Sequence, residues 1–346
     1  MRLETKTVTI LMCVALALSA CSKKTITPAV DPQPAEVGFT AASQAVWVKG
    51  GVSTAETPVF PHDDFGVWGI ARQGNLIYNL WGNEALMDVN KNTTTGYYEP
   101  EDAAYWLKDY TYNFLAVAPY ADAGLTLTRV TTKEDQTGVT SPSDYMTFTY
   151  DMSGKYADGN YTFDLLGAAA QSTINTGGYS TAQNLMFWHL LSQININVSF
   201  GADLAGTQIV GEVTGYRLEN VVSSAVFELK HKSGNEILAT CTPSTAEASK
   251  TTFSFTETTV HIIPQNVQPI NLYLDFVLNK GQSDQATYSD FKISLNVSAN
   301  ANAYLPNGRY NWNITIGAKN AITFDIDVTP WQIATEEDGF DPEIEM

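Results

Sequence analysis

Cysteine is scarce: Cys13, Cys21 and Cys241 are the three in 346 residues. Two of them stand at the amino end and Cys241 is alone in the body of the chain, so no disulfide framework can staple it. Such a chain must be stabilised by large apolar cores. Cys241 has no basic neighbour within three residues, which makes it an inert small side chain and not a nucleophile. Basic residues are also few, 19 Lys and Arg against 37 Asp and Glu, for a net charge of −18. No five-residue basic cluster exists, which argues against a nucleic-acid partner, since phosphate binding needs clustered Lys and Arg. Long hydrophobic runs are missing. The stretch from Val8 to Leu18 is shorter than the ~20 residues that span a bilayer. Helical periodicity is weak, and Glu101–Lys108 is the best short helix candidate. Nucleophile elbow, phosphate loop and paired-cysteine metal motif are all lacking, so nothing argues for an enzyme, a cofactor or a metal.

What is present begins at the amino end. Arg2 and Lys6 precede the apolar run, and small residues follow it. A basic start, a short apolar core and a small-residue cut site make a secretory signal. Leu18-Ser19-Ala20-Cys21 resembles a bacterial lipobox, which implies cleavage before Cys21 and acylation of its thiol and new amino group. The plainer alternative is an ordinary signal peptide with an incidental cysteine. Acyl chains give membrane affinity without a spanning helix. Residues 22–36 hold Pro28, Pro32 and Pro34 among Ser, Thr and Lys, the composition of a tether.

Beyond the tether, period-2 alternation dominates. Ile194, Ile196, Val198 and Phe200 alternate with Asn195, Asn197 and Ser199. The same pattern runs through Phe291–Val297, Tyr310–Ile316 and Ile322–Val328. Each predicts a strand with one buried and one wet face, as in antiparallel sheets. Asn307-Gly308 and Ser233-Gly234-Asn235 predict hairpin turns. Many short strands with polar turns point to β-sandwiches. The stretch Ala168–Gln183, rich in Gly, Ser, Thr and Ala, interrupts the pattern and is taken as a domain boundary. The expected division is a signal at 1–20, a lipid tether at 21–36, sandwiches at 37–175 and 176–331, and an acidic tail at 332–346.

Tyr105-Trp106-Leu107, Tyr110, Tyr112, Phe114 and Ala118-Pro119-Tyr120 form an aromatic block. Aromatic faces can stack on sugar rings; they can equally fill a core beneath a strand ending at Pro119. The block, from Trp106 through Phe114 to Pro119, resembles a segment of the fimbrillin-like pilins, the subunits of type V fimbriae. "FDLLGA" at Phe163–Ala168, "LMFWHLLSQININVSF" at Leu185–Phe200 and "LPNGRYNWNITIG" followed by "ITFDIDVTPW" resemble further family segments in the same order. The resemblance runs from the lipobox to Trp331. It implies an all-β chain of two transthyretin-like antiparallel β-sandwich domains, behind a lipoprotein signal peptide. It also implies export as a lipoprotein to the outer membrane and cell surface. An N-terminal strand is then removed by proteolysis, and other pilin subunits join by strand donation.

On that resemblance, the removable strand is Val37-Gly38-Phe39-Thr40-Ala41, with a continuation to Val46-Trp47-Val48. Lys49 before Gly50-Gly51 is the candidate processing residue, and Arg72 after Val67–Ala71 is the second. The alternative for Lys49 is an exposed loop lysine with no role in cleavage. The candidate donor is the tail, where Phe340, Pro342, Ile344 and Met346 alternate with Asp341, Glu343 and Glu345. One face is apolar and one acidic, as a half-buried strand requires; the alternative is a solvated acidic tail. The expected function is a structural fimbrial subunit. Its partners would be other subunits, the membrane through acylated Cys21, and a host or bacterial surface ligand. The alternative is a monomeric glycan-binding or adhesin lipoprotein at a fimbrial tip, with Trp106 or Trp68 exposed. His62-Asp63-Asp64 reads as a solvated loop, and His189, His231 and His261 as structural histidines.

Overall fold

Near-continuous apolar segments, not alternating ones, build three strands of the first sheet. The computed structural model describes residues 35–43, 60–82, 85–120, 122–140, 142–174, 182–202, 208–231, 237–266, 270–293, 303–317, 322–330 and 340–344. The chain divides into two compact units, Met1–Pro34 and Ala35–Met346, and all described residues belong to the second.

The first sheet holds β1 (Phe39–Ser43), β2 (Asp64–Gln73), β3 (Leu76–Asn79), β4 (Met87–Lys91), β5 (Tyr98–Pro100), β6 (Tyr110–Ala118), β9 (Leu166–Ile174) and β10 (Gln183–His189). Their order is β3-β2-β4-β5-β1-β10-β9-β6, and β6 pairs back with β2. Seven strands therefore form a closed ring, with β3 hanging from β2 as a hairpin. One side of each ring strand feeds a common core through Phe39, Phe65, Val89, Tyr98, Phe114, Ala168 and Phe187. The other side of the ring packs through Trp68, Leu115, Val117, Ala169 and Trp188 into a second core. With both faces buried, β2, β6 and β9 must be apolar at successive positions.

That double burial explains the small residues of β9. A Cβ at Gly167 would lie 2.9 Å from Leu229 Cδ1 and 3.1 Å from Leu190 Cδ1, so the ring and the second sheet approach too closely for a side chain. Ala168 to Ile174, expected to interrupt the strand pattern at a domain boundary, is thus strand, and its poverty in bulk is a packing requirement.

The second sheet holds β7 (Leu125–Thr131), β8 (Tyr145–Asp151), β13 (Ser224–His231), β14 (Ile237–Pro243) and β23 (Phe340–Ile344), in the order β23-β14-β13-β8-β7. Strands from either side of residue 175 meet here, since β8 pairs with β13 from Asp151↔Ser224 to Tyr145↔Lys230. A third sheet joins β16 (Thr259–Ile262), β11 (Ser192–Phe200), β21 (Gly308–Ile316) and β22 (Ile322–Pro330). A fourth joins β15 (Lys250–Phe255), β12 (Gly211–Val222), β18 (Asn271–Leu278) and β19 (Ala286–Ile293). Ile194, Ile196, Trp312 and Ile314 of the third share a core with Leu218, Leu272, Leu274 and Phe276 of the fourth, as in a sandwich.

The all-β fold class holds, with several local corrections. Three ladders are parallel, β1–β10, β11–β21 and β14–β23, where antiparallel pairing was expected. Glu101–Lys108 is not a helix; Tyr105 there bridges to Glu36, and the α-helix among the described residues is α1 (Ser153–Ala157). Ala35 and Glu36, expected in the tether, already bond to the fold. The Ser233-Gly234-Asn235 turn lies outside the described residues, but the antiparallel β13–β14 ladder on either side of it is present. Asn307 does turn the chain, with φ 58. The turn makes no hairpin, because β17 (Gln265–Asn266) and not β21 pairs with β20 (Ala303–Tyr304).

Candidate functional site: the first strand in its ring

Val37, Phe39 and Ala41 alternate with Gly38 and Thr40, so an extended segment presents one apolar row. The structure uses that row. Val37 and Phe39 are 1% and 0% exposed, and Ala35 and Ala41 pack against the same core. The Phe39 ring stands edge-on to Phe65 at 5.8 Å and to Phe114 at 5.2 Å, a favoured geometry for aromatic pairs.

Three neighbours hold the segment. Val37 N donates to Ala104 O at 2.8 Å, and Trp106 N donates to Ala35 O at 2.9 Å. Next, Gln183 N donates to Gly38 O at 2.7 Å, and β1 runs parallel to β10 from Phe39↔Gln183 to Ser43↔Phe187. On the other side a single pair, Phe39↔Tyr98, joins it to β5. Elsewhere in the ring β6 and β9 share nine pairs, from Tyr110↔Ile174 to Ala118↔Leu166. The seam between β1 and β5 is therefore a short one. The segment around Trp106 is fixed in turn by Tyr112, whose hydroxyl accepts from Leu107 N and donates to Tyr105 O.

The aromatic block is core. Trp106 is fully buried and Trp68 is 2% exposed, so neither can serve as the sugar-stacking face that a glycan-binding alternative placed on them. β6 ends at Ala118, as expected from Pro119.

Arg72 is not a loop residue. It lies in β2, 9% exposed, and grips two carboxylates. Nε and Nη2 donate to Glu134 at 2.8 Å each, and Nη1 donates to Asp144 Oδ2 at 2.8 Å. Asp144 also accepts from Asn113 Nδ2 at 2.8 Å and Lys133 N at 2.9 Å. Burial alone would lift the Asp144 carboxyl; the Arg72 hydrogen bonds and charge outweigh it and hold it below the usual range. For Arg72 burial pulls down, and the two carboxylates push the guanidinium further up. Sequence reading missed Glu134 and Asp144, which lie 62 and 72 residues away.

Cys21, Lys49 and Met346 lie outside the described residues, as do Val46-Trp47-Val48. The tail strand β23 runs parallel to β14 from Phe340↔Ile237 to Ile344↔Cys241, so the chain places the backbone of Phe340 and Ile344 at an edge of its own second sheet. Cys241 is buried, and burial raises its thiol well above the ordinary value. His261 Nδ1 faces Phe163 O at 2.8 Å, and burial pulls its pKa down to about 4. His189 Nδ1 lies 2.8 Å from Asp164 Oδ2. His62 is half-buried beside Phe60, their rings 5.7 Å apart, and not a solvated loop residue; burial lowers its pKa against the pull of Asp164 and Asp64.

By fold this is an all-β protein whose first described strand is built into a closed ring and whose third and fourth sheets form a sandwich. The chain belongs to the fimbrillin-like family, whose sequence profile matches residues 54–331. No curated protein matches it. Among solved structures it is similar to a fimbrial protein from Bacteroides vulgatus ATCC 8482. That likeness has 17% identity and a TM-score of 0.50, over 85% of this chain and 99% of that one. A candidate cell adhesion protein from Bacteroides uniformis ATCC 8492 matches at 16% identity and a TM-score of 0.44, over 86% and 98%.

Proposed function

We propose that this chain is a structural subunit of a cell-surface fimbrium. It is exported as a lipoprotein acylated at Cys21, held at the outer membrane, cut after Lys49, and joined to other pilin subunits by donor-strand exchange. It carries no catalysis of its own. The observation behind this reading is the seat of β1. It is one strand in an otherwise continuous ring, with Phe39 fully buried and one pair on its β5 side. Loss of β1 would open the β10 and β5 edges and empty a pocket lined by Phe65 and Phe114. An extended segment from a neighbour would restore main-chain bonds and refill that pocket. Refilling it with one large apolar side chain contributes ~1.5–3 kcal/mol.

Of the two candidate processing residues, we assign Lys49, which lies in sequence between β1 and β2. A protease takes its substrate as an exposed, extended segment. Arg72 meets that need only after β2 leaves its ladder and its two ion pairs break. The glycan-binding alternative loses the two tryptophans meant to carry it.

Digesting the purified protein with a lysine-specific protease tests the proposal. The expected result is release of the β1 peptide and a ladder of oligomers that resists mild SDS. A trimmed protein that stays monomeric at high concentration sinks it.

A further inference from the structure

β3 is an edge strand without the usual protection. Among the described residues β2 is its one ladder partner. Leu76, Ile77 and Tyr78 are all exposed. From Gln73 to Asn83 the sequence holds no charged residue and no proline. An unpaired apolar edge is a template for another chain, and folds normally blunt it with charge, proline or a bulge. β3 has no bulge either, since its register on β2 runs without a shift from Ile70↔Asn79 to Gln73↔Leu76. The ladder also says which backbone groups are open. Leu80 N donates to Gly69 O at 3.0 Å, and along an antiparallel strand alternate residues turn both groups to one neighbour. Leu76, Tyr78 and Leu80 therefore bond to β2, while Ile77 and Asn79 direct N–H and C=O outward.

We infer that β3 is a docking edge for β3 of a second copy of this chain, paired antiparallel across a two-fold axis. Two observations choose that occupant. The net charge is −18, so two copies repel wherever acidic surfaces meet, and an uncharged edge is where they can touch. The open groups are also self-complementary. An axis at Tyr78 sets Ile77 of each copy opposite Asn79 of the other. Every outward N–H and C=O of the strand is then bonded, in an isologous contact. An axis at Ile77 would set Asn79 against the Gly74-Asn75 turn, and one at Asn79 would set Ile77 against Trp81, past the end of the strand. With the axis at Tyr78, the two Tyr78 side chains meet. Each ring already lies 5.8 Å from that of Tyr110, so the contact continues a row of tyrosines from one sheet into the next. Four residues per copy bury less than a stable free dimer needs. The contact is therefore weak between free subunits and adds up where many copies stand side by side. It runs sideways from the ring and does not depend on strand donation at β1.

Disulfide trapping captures weak contacts and reads the register. The full chain with Cys13→Ser and Cys21→Ser would carry Tyr78→Cys or Leu76→Cys. Each would be mildly oxidised at high concentration and run on non-reducing gels. In the inferred register position 78 forms a non-hydrogen-bonded pair with its counterpart, Cα atoms ~4.5 Å apart, within disulfide reach. Position 76 lies four residues from its counterpart, roughly 13 Å along the strand. Leu76 is the more exposed of the two, 52% against 47%, so random collision favours the Leu76→Cys variant. The inference expects the opposite, an order of magnitude more covalent dimer from Tyr78→Cys. A larger yield from Leu76→Cys overturns the register, and equal yields mark collision and overturn the contact. A third variant adds Ile77→Lys to Tyr78→Cys. A charge at the open edge should cut the dimer yield by an order of magnitude and leave the urea midpoint unchanged. An undiminished yield overturns the β3 ladder. No covalent dimer from any variant overturns the second copy as the occupant of this edge.

Discussion

β1 and β23 are both parallel strands of five pairs, yet they are held differently. β1 sits inside a ring, with β10 on one side, Tyr98 and Ala104 on the other, and Phe39 fully buried. β23 lies at the end of its sheet, with β14 as its one ladder partner. The backbone ladder is nearly the same in the two places. What separates them is a second neighbour. Hydrogen bonds contribute little net energy while apolar burial contributes much, so the buried Phe39 does more than the ladder to tie β1 into its ring.

The sharpest way to break this comparison is to remove the ring's aromatic plug. Phe39→Ala leaves a cavity beside Phe65 and Phe114, and should cost ~3–5 kcal/mol. Leu76→Ala, on the exposed edge strand β3, should cost about 1 kcal/mol or less in the same untrimmed protein. Urea midpoints of the two variants measure the contrast. Equal costs would mean that the edge strand is as deeply held as the ring strand.

A second substitution asks whether the ring is rigid beyond β1. Arg72→Ala leaves Asp144 buried with its cation gone, which costs ~3–5 kcal/mol when the loss is complete. Asn113 and Lys133 N keep part of the carboxylate satisfied, so about 3 kcal/mol is expected. The untrimmed wild type should also resist an arginine-specific protease at Arg72 while a lysine-specific one cuts it. Early cleavage at Arg72 would show that β2, not β1, is the loose strand.

Acid tests the foundation that both strands share. Burial brings His261 to about 4 in the fold, against ~6.5 in an unfolded chain. Between those values the unfolded state binds more protons. Stability is therefore full above pH ~6.5 and falls as pH drops toward 4, by at most ~1.4 kcal/mol per unit. Asp144, whose carboxyl lies below the usual range, adds a loss only below the ordinary carboxylate pKa of ~3.9. Replacing His261 with Gln should flatten the upper part of this slope in urea titrations at pH 7.5 and 5. An unchanged slope would assign the acid sensitivity to other groups.

How much of this was legible follows from which faces are wet. β11 and β21 show in the sequence because one face is more exposed, so polar residues mark every second position. β2, β6 and β9 are buried on both faces, and double burial erases the alternation. β9 is the extreme case: Gly167 and three alanines look like a linker until Leu229 and Leu190 are seen pressing on them. The row Val37, Phe39 and Ala41 was readable, but its partners were not, since β10 lies more than a hundred residues onward. Arg72 reads as a basic residue after a strand; its carboxylates come from the connection between β7 and β8. Asn307-Gly308 announced a turn correctly, but turn chemistry is local and does not choose the ladder beyond it.

The smallest expected effect sharpens the comparison most finely. Thr40 faces outward and donates to Asn184 Oδ1 at 3.1 Å across the β1–β10 ladder. Thr40→Val keeps the branched shape that strands favour and deletes this one bond. An exposed hydrogen bond is worth ~0.5–1.5 kcal/mol, and its partner can turn to water. The loss should therefore sit at the bottom of that range, several-fold below Phe39→Ala. A cost near that of Phe39→Ala would place the grip on the outer, polar side of the ladder. The ring interior would then not be what tells the two strands apart.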